Sequence, residues 1–183
     1  MNSAHAASSK TRDMVYISLF TALITICSWI SIPATVPFTL QTMAVFLTVG
    51  LLGGKRGSCS VLLYILLGAF GIPVFSGFRG GIGVLLGTTG GYIIGFLFTA
   101  LFMWLMEKFF GRKPVILAVS MVVGLLICYA FGTAWFMLVY LKNTGAVSLM
   151  TVLGWCVIPF IIPDAIKIVL AYILTNVLKK FIY

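Results

Sequence analysis

Apolar residues occupy this chain in long blocks, separated by short polar or glycine- and proline-rich stretches. A membrane span needs about 20 apolar residues. The first block that fits is 14–32, and Pro33 and Pro37 then break the pattern in an uncharged loop. Segments 39–52 and 58–71 follow as the second and third spans, both short and so tilted or only partly spanning. The fourth is 90–109 and the fifth 115–141. Segment 148–183 is too long for one span; Pro159 and Pro163 divide it into a short apolar piece and a final helix, 164–181. The pattern predicts an all-α, polytopic membrane protein with six transmembrane helices. Residues 1–13 are polar, lack a cleavable signal-peptide pattern, and are expected to form a disordered cytoplasmic tail. Residues 14–183 are expected to form one six-helix transmembrane domain.

Charge sets the expected orientation. Lys10 and Arg12 lie in the tail, Lys55 and Arg56 in the second connection, Lys108, Arg112 and Lys113 in the fourth, and Lys179 and Lys180 at the C-terminus. The alternate connections hold none, Arg79, and Lys142. The positive-inside rule then places both termini in the cytoplasm.

Composition acts mostly by exclusion. The chain is 62% hydrophobic and 8% charged, against about 25% charged for soluble domains, so no soluble part is large enough to hold a core. The net charge of +9 is not a nucleic-acid signal, because the basic residues are scattered at segment ends with no basic face or stacking platform. Cys27, Cys59, Cys128 and Cys156 lie in apolar surroundings without a C-x-x-C pair, and His5 is the single histidine. Free, buried cysteines are expected, with no metal site and no cofactor.

The run 77–96 holds eight glycines among twenty residues, with Arg79 as its lone charge. In a membrane protein, irregular polar backbone is tolerated only where it is buried or lines a cavity, so this run is the first candidate for a binding site. Its first half, with Pro73 before it and Gly80 and Gly81 inside it, reads as a loop. Gly83, Gly87, Gly91 and Gly95 repeat every four residues and, if helical, form one smooth packing face. For Gly95, packing and ligand contact stay open as alternatives. Ser18 and Ala22 are also four apart, a small-xxx-small pair that could dock another membrane protein or a neighbouring helix.

No catalytic residues are expected. Gly50 to Arg56 has the wrong spacing for a phosphate loop, and Arg56 stands where the hydroxyl belongs. Gly81-Ile-Gly83 lacks a third glycine at dinucleotide spacing, and no span holds a histidine. Asp13 and Glu107 sit at the cytoplasmic ends, which leaves Asp164 and Lys167, three apart on one face of the last helix. Ionisable residues inside a span are a functional hypothesis by default; a structural ion pair is the alternative, and a helix cap at Asp164 fits either.

Depth brings the candidates together. At about 1.5 Å per helical residue, Asp164 lies about 24 Å from Lys180, Gly91 about 25 Å from Lys108, and Gln41 about 21 Å from Lys55. All three reach one outer level of a core about 30 Å thick. Asp164, Lys167, Gln41 and the glycine run can therefore surround one pocket opening outward. Arg79 and the amides at Thr89, Gly90 and Gly91 offer an anion site. Phe38, Tyr92 and either Trp135 or Trp155 could wall it, unless they face lipid. The implied ligand is small and partly apolar, with an amide-like head and a carboxylate.

Three segments carry a resemblance: VPFTLQT at 36–42, GGIGVLLGTTGGYIIGF at 80–96 and PFIIPDAIK at 159–167. In this order and spacing they resemble the BioY family, the biotin-binding S-components of energy-coupling-factor (ECF) transporters, over about residues 14–181. Thr88 departs from a usual proline and Ile162 from a common glycine, which touches loop geometry more than ligand identity. The resemblance implies a six-helix substrate-binding protein, multi-pass in the bacterial plasma membrane. It would capture biotin from outside and deliver it with a transmembrane coupling protein and two ATPase subunits, toppling in the membrane to release it. By motif position, Asp164 and Lys167 would hold the ureido ring. Two other readings are an S-component for riboflavin or thiamine and a self-sufficient small-solute facilitator.

Overall fold

The computed structural model describes residues 2–182, with side chains from Lys10 to Phe181. Met1, Tyr183 and the side chain of His5 lie outside the described residues. The elements are α1 (Asn2–Trp29), β1 (Ser31–Ile32), β2 (Phe38–Thr39), α2 (Gln41–Leu52), α3 (Gly54–Ala69), α4 (Ile82–Leu86), α5 (Gly90–Phe110), α6 (Pro114–Asn143), α7 (Leu149–Cys156), a 3-10 turn (Ile158–Phe160) and α8 (Ile161–Ile182). The fold is all-α apart from the two-residue ribbon. By length and composition, α5, α6 and the stretch Leu149–Phe181 can each cross a membrane. At 12 and 16 residues, α2 and α3 are shorter than a full crossing, as the sequence predicts.

No glycine or proline interrupts the chain before Pro33, and α1 is correspondingly unbroken. It takes in residues 2–13, for which the sequence predicts a disordered tail. Asp13 at the edge of that stretch pairs with Arg56 on α3 at 3.0 Å. Pro33 and Pro37 end the helical run as expected, but the segment between the helices is more than a loop. β1 and β2 pair antiparallel, Ser31 against Thr39 and Ile32 against Phe38. The ribbon fixes Phe38 and Thr39 just ahead of α2.

The glycine run divides as the sequence suggests, with one correction. Residues 71–81 are irregular, closed by a bridge between Phe75 and Arg79. Gly83, Gly87, Gly91 and Gly95 do not share a helix, because the backbone is extended at Gly87 (φ −73°, ψ 178°) and α4 stops there. A packing face survives only on α5. A Cβ on Gly91 would overlap Trp135, and one on Gly95 would lie 3.0 Å from the Cys128 sulfur. Packing against α6 is thus what both glycines serve. The contact is reciprocal: Gly132 of α6 leaves room for the Tyr92 ring, and Thr99 donates to the Gly124 carbonyl at 2.7 Å.

Segment 164–181 is helical, but α8 starts three residues earlier and carries Pro163 in its first turn, where proline loses no intrahelical bond. Cys27, Cys128 and Cys156 are free and buried; Cys59 is free but exposed, contrary to expectation, because it lies on the outward face of α3. Ser18 and Ala22 are exposed on α1, whose inward face is formed by Thr21, Ile24, Thr25 and Ser28. Among the described residues, no other helix covers this small-residue face. The exposed side chains of α5, α6 and α8 are largely apolar, among them Leu101, Leu105, Val122, Leu126, Val169 and Ile173. Such a surface suits lipid, where no hydrophobic penalty attaches to it.

Gly53 alone joins α2 to α3. Its φ is +81°, and a Cβ there would overlap the Arg112 guanidinium. Arg112 donates to Glu107 at 2.5 Å and to the Leu52 carbonyl at 3.3 Å, while Glu107 accepts from the Gly54 amide at 2.5 Å. One ion pair thus clamps the α5–α6 corner onto the α2–α3 corner. Gly111 also has a positive φ, +76°, but nothing within 4 Å of a Cβ. Gly53→Ala is expected to cost about 2–3 kcal/mol and Gly111→Ala about 1 kcal/mol. Thermal unfolding of the two variants in detergent checks the order, and equal losses would show that the clamp adds nothing to backbone strain.

Candidate functional site

Asp164 stands in the first turn of α8, with Lys167 one turn on. The two residues are 2% and 4% exposed, and Lys167 Nζ donates to Asp164 Oδ1 at 2.8 Å. The second carboxylate oxygen accepts a 2.6 Å bond from the Tyr129 hydroxyl of α6. Each oxygen of Asp164 thus bonds one side chain and keeps a further lone pair; as the fourth residue of α8, Asp164 is not at the N-cap position. The Lys167 ammonium lies 4.0 Å from the centroid of the Phe38 ring. That ring stacks on Phe160 at 5.8 Å. Desolvating an ion pair is expensive, and only good geometry with further hydrogen bonds offsets it. Here a phenol on the anion and an aromatic face on the cation supply that compensation.

The pair forms part of the wall of an open cavity with about 710 Å³ of empty space, its mouth included. α2 contributes Gln41, held by bonds from Nε2 to the Tyr64 hydroxyl at 3.0 Å and from its amide to Thr39 Oγ1 at 3.2 Å. Thr89 and Tyr92 enter from the start of α5, and the Tyr92 hydroxyl bonds Thr133 at 3.1 Å. Arg79 lines the mouth from the glycine-rich loop; it is exposed, and its Nε donates to the Ser76 carbonyl at 3.2 Å. Apolar walls come from Phe75, Ile93, Phe96, Leu125 and Phe160. The cavity therefore offers an acceptor–donor cluster in a buried wall, apolar sides, and a cation at the rim. That arrangement can take a small neutral polar head on an apolar body with an anionic tail.

Of the three residues placed by depth, Gln41 and Asp164 line one cavity, together with Lys167, Thr89, Tyr92 and Arg79, while Gly91 does not. Three expected residues sit elsewhere. Gly90 and Gly91 are absent from its wall; a Cβ on Gly90 would overlap the Leu85 backbone and one on Gly91 would overlap Trp135, so both serve helix contacts. Phe38 stands behind Lys167 and backs its ammonium. The tryptophans are not walls either. Trp135 donates to the Gly87 carbonyl at 3.0 Å, across the α4–α5 break, and Trp155 packs beside Tyr140, 40% exposed. Sequence reasoning missed Tyr129, Cys128 and Cys156, which all line the cavity. Tyr129 was findable: it lies sixteen residues, about 24 Å, beyond Lys113, the level of the other three. Cys156 was not, since it depends on α7 folding back over the site.

A family model described as "BioY family" matches residues 1–183. The biotin transporter BioY of Thermotoga maritima is 41% identical over 170 residues, covering 92% of this chain and 96% of that protein. A probable biotin transporter BioY of Pyrococcus horikoshii is 39% identical over 171 residues, covering 93% and 98%. Among solved structures, the S-component for biotin from an ECF-type ABC transporter superposes with a TM-score of 0.83 at 28% identity, covering 94% of this chain and 93% of that one.

Removing one member of the ion pair should cost more than removing both. Lys167→Met leaves the Asp164 carboxylate with Tyr129 alone and is expected to cost about 3–5 kcal/mol. Asp164→Asn combined with Lys167→Met should be less destabilised than Lys167→Met by itself. A double-mutant cycle on unfolding midpoints without ligand measures this; additivity would mean the two side chains are not coupled.

Proposed function

The chain belongs to the BioY family, and on that premise we propose that it is the biotin-binding S-component of an ECF-type ABC transporter. It is a membrane-embedded transport component and not an enzyme. The observation that carries the reading is the buried cluster Asp164–Lys167–Tyr129 in the wall of an open cavity. A ureido ring has two N–H donors and one carbonyl acceptor. Asp164 would accept from the N–H groups and Lys167 would donate to the carbonyl. Tyr129 and Gln41 would complete the ring's partners, Thr89 and Tyr92 would border it, and Phe38 would hold Lys167 in place. Arg79 at the rim would meet the carboxylate. Gly90 and Gly91 would act indirectly, by seating α5 against α6.

In this reading six helices cross the cell membrane, α2 and α3 as a short pair, with both termini cytoplasmic and the cavity facing outside. The basic residues at one end of the bundle support that orientation. A transmembrane coupling protein and two ATPase subunits would drive delivery, with toppling in the bilayer as the release step. The exposed small-residue face at Ser18 and Ala22 would dock the coupling protein, since it is already smooth and unoccupied by helices of this chain.

A self-sufficient facilitator is disfavoured by one observation. Beneath the cavity, Ala44, Thr48, Thr99, Ala100, Met121 and Ala171 are all 1% exposed or less. That layer closes the bundle between the helices that line the site.

Purified protein should bind biotin saturably, and riboflavin or thiamine should not compete. Asp164→Asn is expected to weaken binding on the order of 100-fold, the scale of a lost charged hydrogen bond in a buried site. Arg79→Gln should weaken biotin several-fold yet leave biotin methyl ester unchanged. Calorimetric titration reads both; Asp164→Asn binding as well as the parent would remove the ureido assignment.

A further inference from the structure

The same four helices that frame the ligand cavity frame a second one at their other end. Its walls come from α2, α5, α6 and α8, and it holds about 490 Å³ of empty space, its mouth included. On each helix the order is the same: ligand cavity, closed layer, second cavity. Along α8 it runs Asp164 and Lys167, then Ala171, then Thr175 and Lys179.

The second cavity is cationic at its mouth. Arg112 and Glu107 line it but pair with each other, so its net positive charge comes from Lys113 and Lys179. Lys113 is also the N-cap residue of α6, with Pro114 at the first helical position and no side-chain cap bond. The amides of Val115 and Ile116 therefore lack intrahelical partners, and the helix dipole adds partial positive charge there. A helix start alone would mean little. The independent observation is Thr175: it lines this cavity beside Gly50, is 1% exposed, and its hydroxyl oxygen has no hydrogen-bond partner among the described residues. A buried hydroxyl without a partner is costly, and an anion's oxygen accepting from it would remove that cost. Deeper still, Val49, Met103 and Leu117 make the wall apolar.

We propose that this cavity binds a phosphate group, and that the source is the headgroup of an anionic phospholipid. A free phosphate would use only the basic mouth. A lipid also supplies apolar groups for the inner wall, and its phosphate lies at the level where helix ends leave the hydrocarbon. Basic pockets between transmembrane helices suit such headgroups. The site is separate from the biotin cavity, and only the identity of the leaflet rests on the orientation proposed above.

The test uses the intact protein in detergent, with thermal unfolding read against added phosphatidylglycerol, phosphatidylcholine and inorganic phosphate. Phosphatidylglycerol should raise the midpoint and phosphatidylcholine should not. Lys113→Gln combined with Lys179→Gln should weaken the phosphatidylglycerol response on the order of 10–30-fold in concentration. Thr175→Val should weaken it several-fold at unchanged charge and volume, with Thr175→Ser restoring it. Biotin titration of each variant reports folding and should match the parent. An equal response to phosphatidylcholine, or an unchanged one in the lysine variant, overturns the site. An equal response to inorganic phosphate overturns the lipid as its source.

Discussion

The buried ion pair between Asp164 and Lys167 is the constraint around which the rest is arranged. Two charges at 2–4% exposure cannot be held in an apolar bundle unless each is compensated. The compensation comes from different parts of the chain. Tyr129 arrives from α6 and ties α6 to α8. Phe38 arrives from the β-ribbon, backed by Phe160 in the turn before α8. The ribbon, the 3-10 turn and the middle of α6 are thus fixed relative to α8 by the needs of one carboxylate and one ammonium. The cavity is the space left beside them, and its polarity is inherited from them.

A second, smaller pair does the same for the opposite end. Glu107 and Arg112 join the α5–α6 corner to the α2–α3 corner through Gly54 and Leu52. Between the two pairs the bundle closes with small or unbranched side chains, so the helices approach closely and leave no gap. The result is a protein with a recess at each end and a sealed middle. Under the proposed transport role, a sealed middle is consistent with release driven by a separate module, since a continuous pathway would let the ligand leak.

Much of this was legible in the residues. Blocks of apolar sequence marked the helices, prolines marked where they end, and basic residues marked one end of the bundle. Counting residues from that end brought Gln41, Gly91 and Asp164 to one level, because helical rise is nearly constant. Asp164 and Lys167 stood out because charge is rare and costly in such surroundings. The glycines were only half legible. Spacing of four predicts a shared face only if the helix is continuous, and the extended backbone at Gly87 breaks it. Gly90 and Gly91 lie near the site but spend their bareness on Leu85 and Trp135. Residues 2–13 are helical although polar, since no breaker separates them from the apolar part of α1.

The sequence by itself determined the family, the helical class and the identity of the buried charges. Each of these depends on residue type and on distance along one chain, which a linear pattern carries in full. Tertiary structure alone decided which neighbours those charges keep. Tyr129 and Cys156 reach the cavity because α6 and α7 fold against α8, and Phe38 leaves its wall because the ribbon turns it toward Lys167. Rotation of a helix about its own axis and the path of a connecting loop set such contacts. Both are fixed by packing between segments far apart in sequence, and no count along the chain contains them.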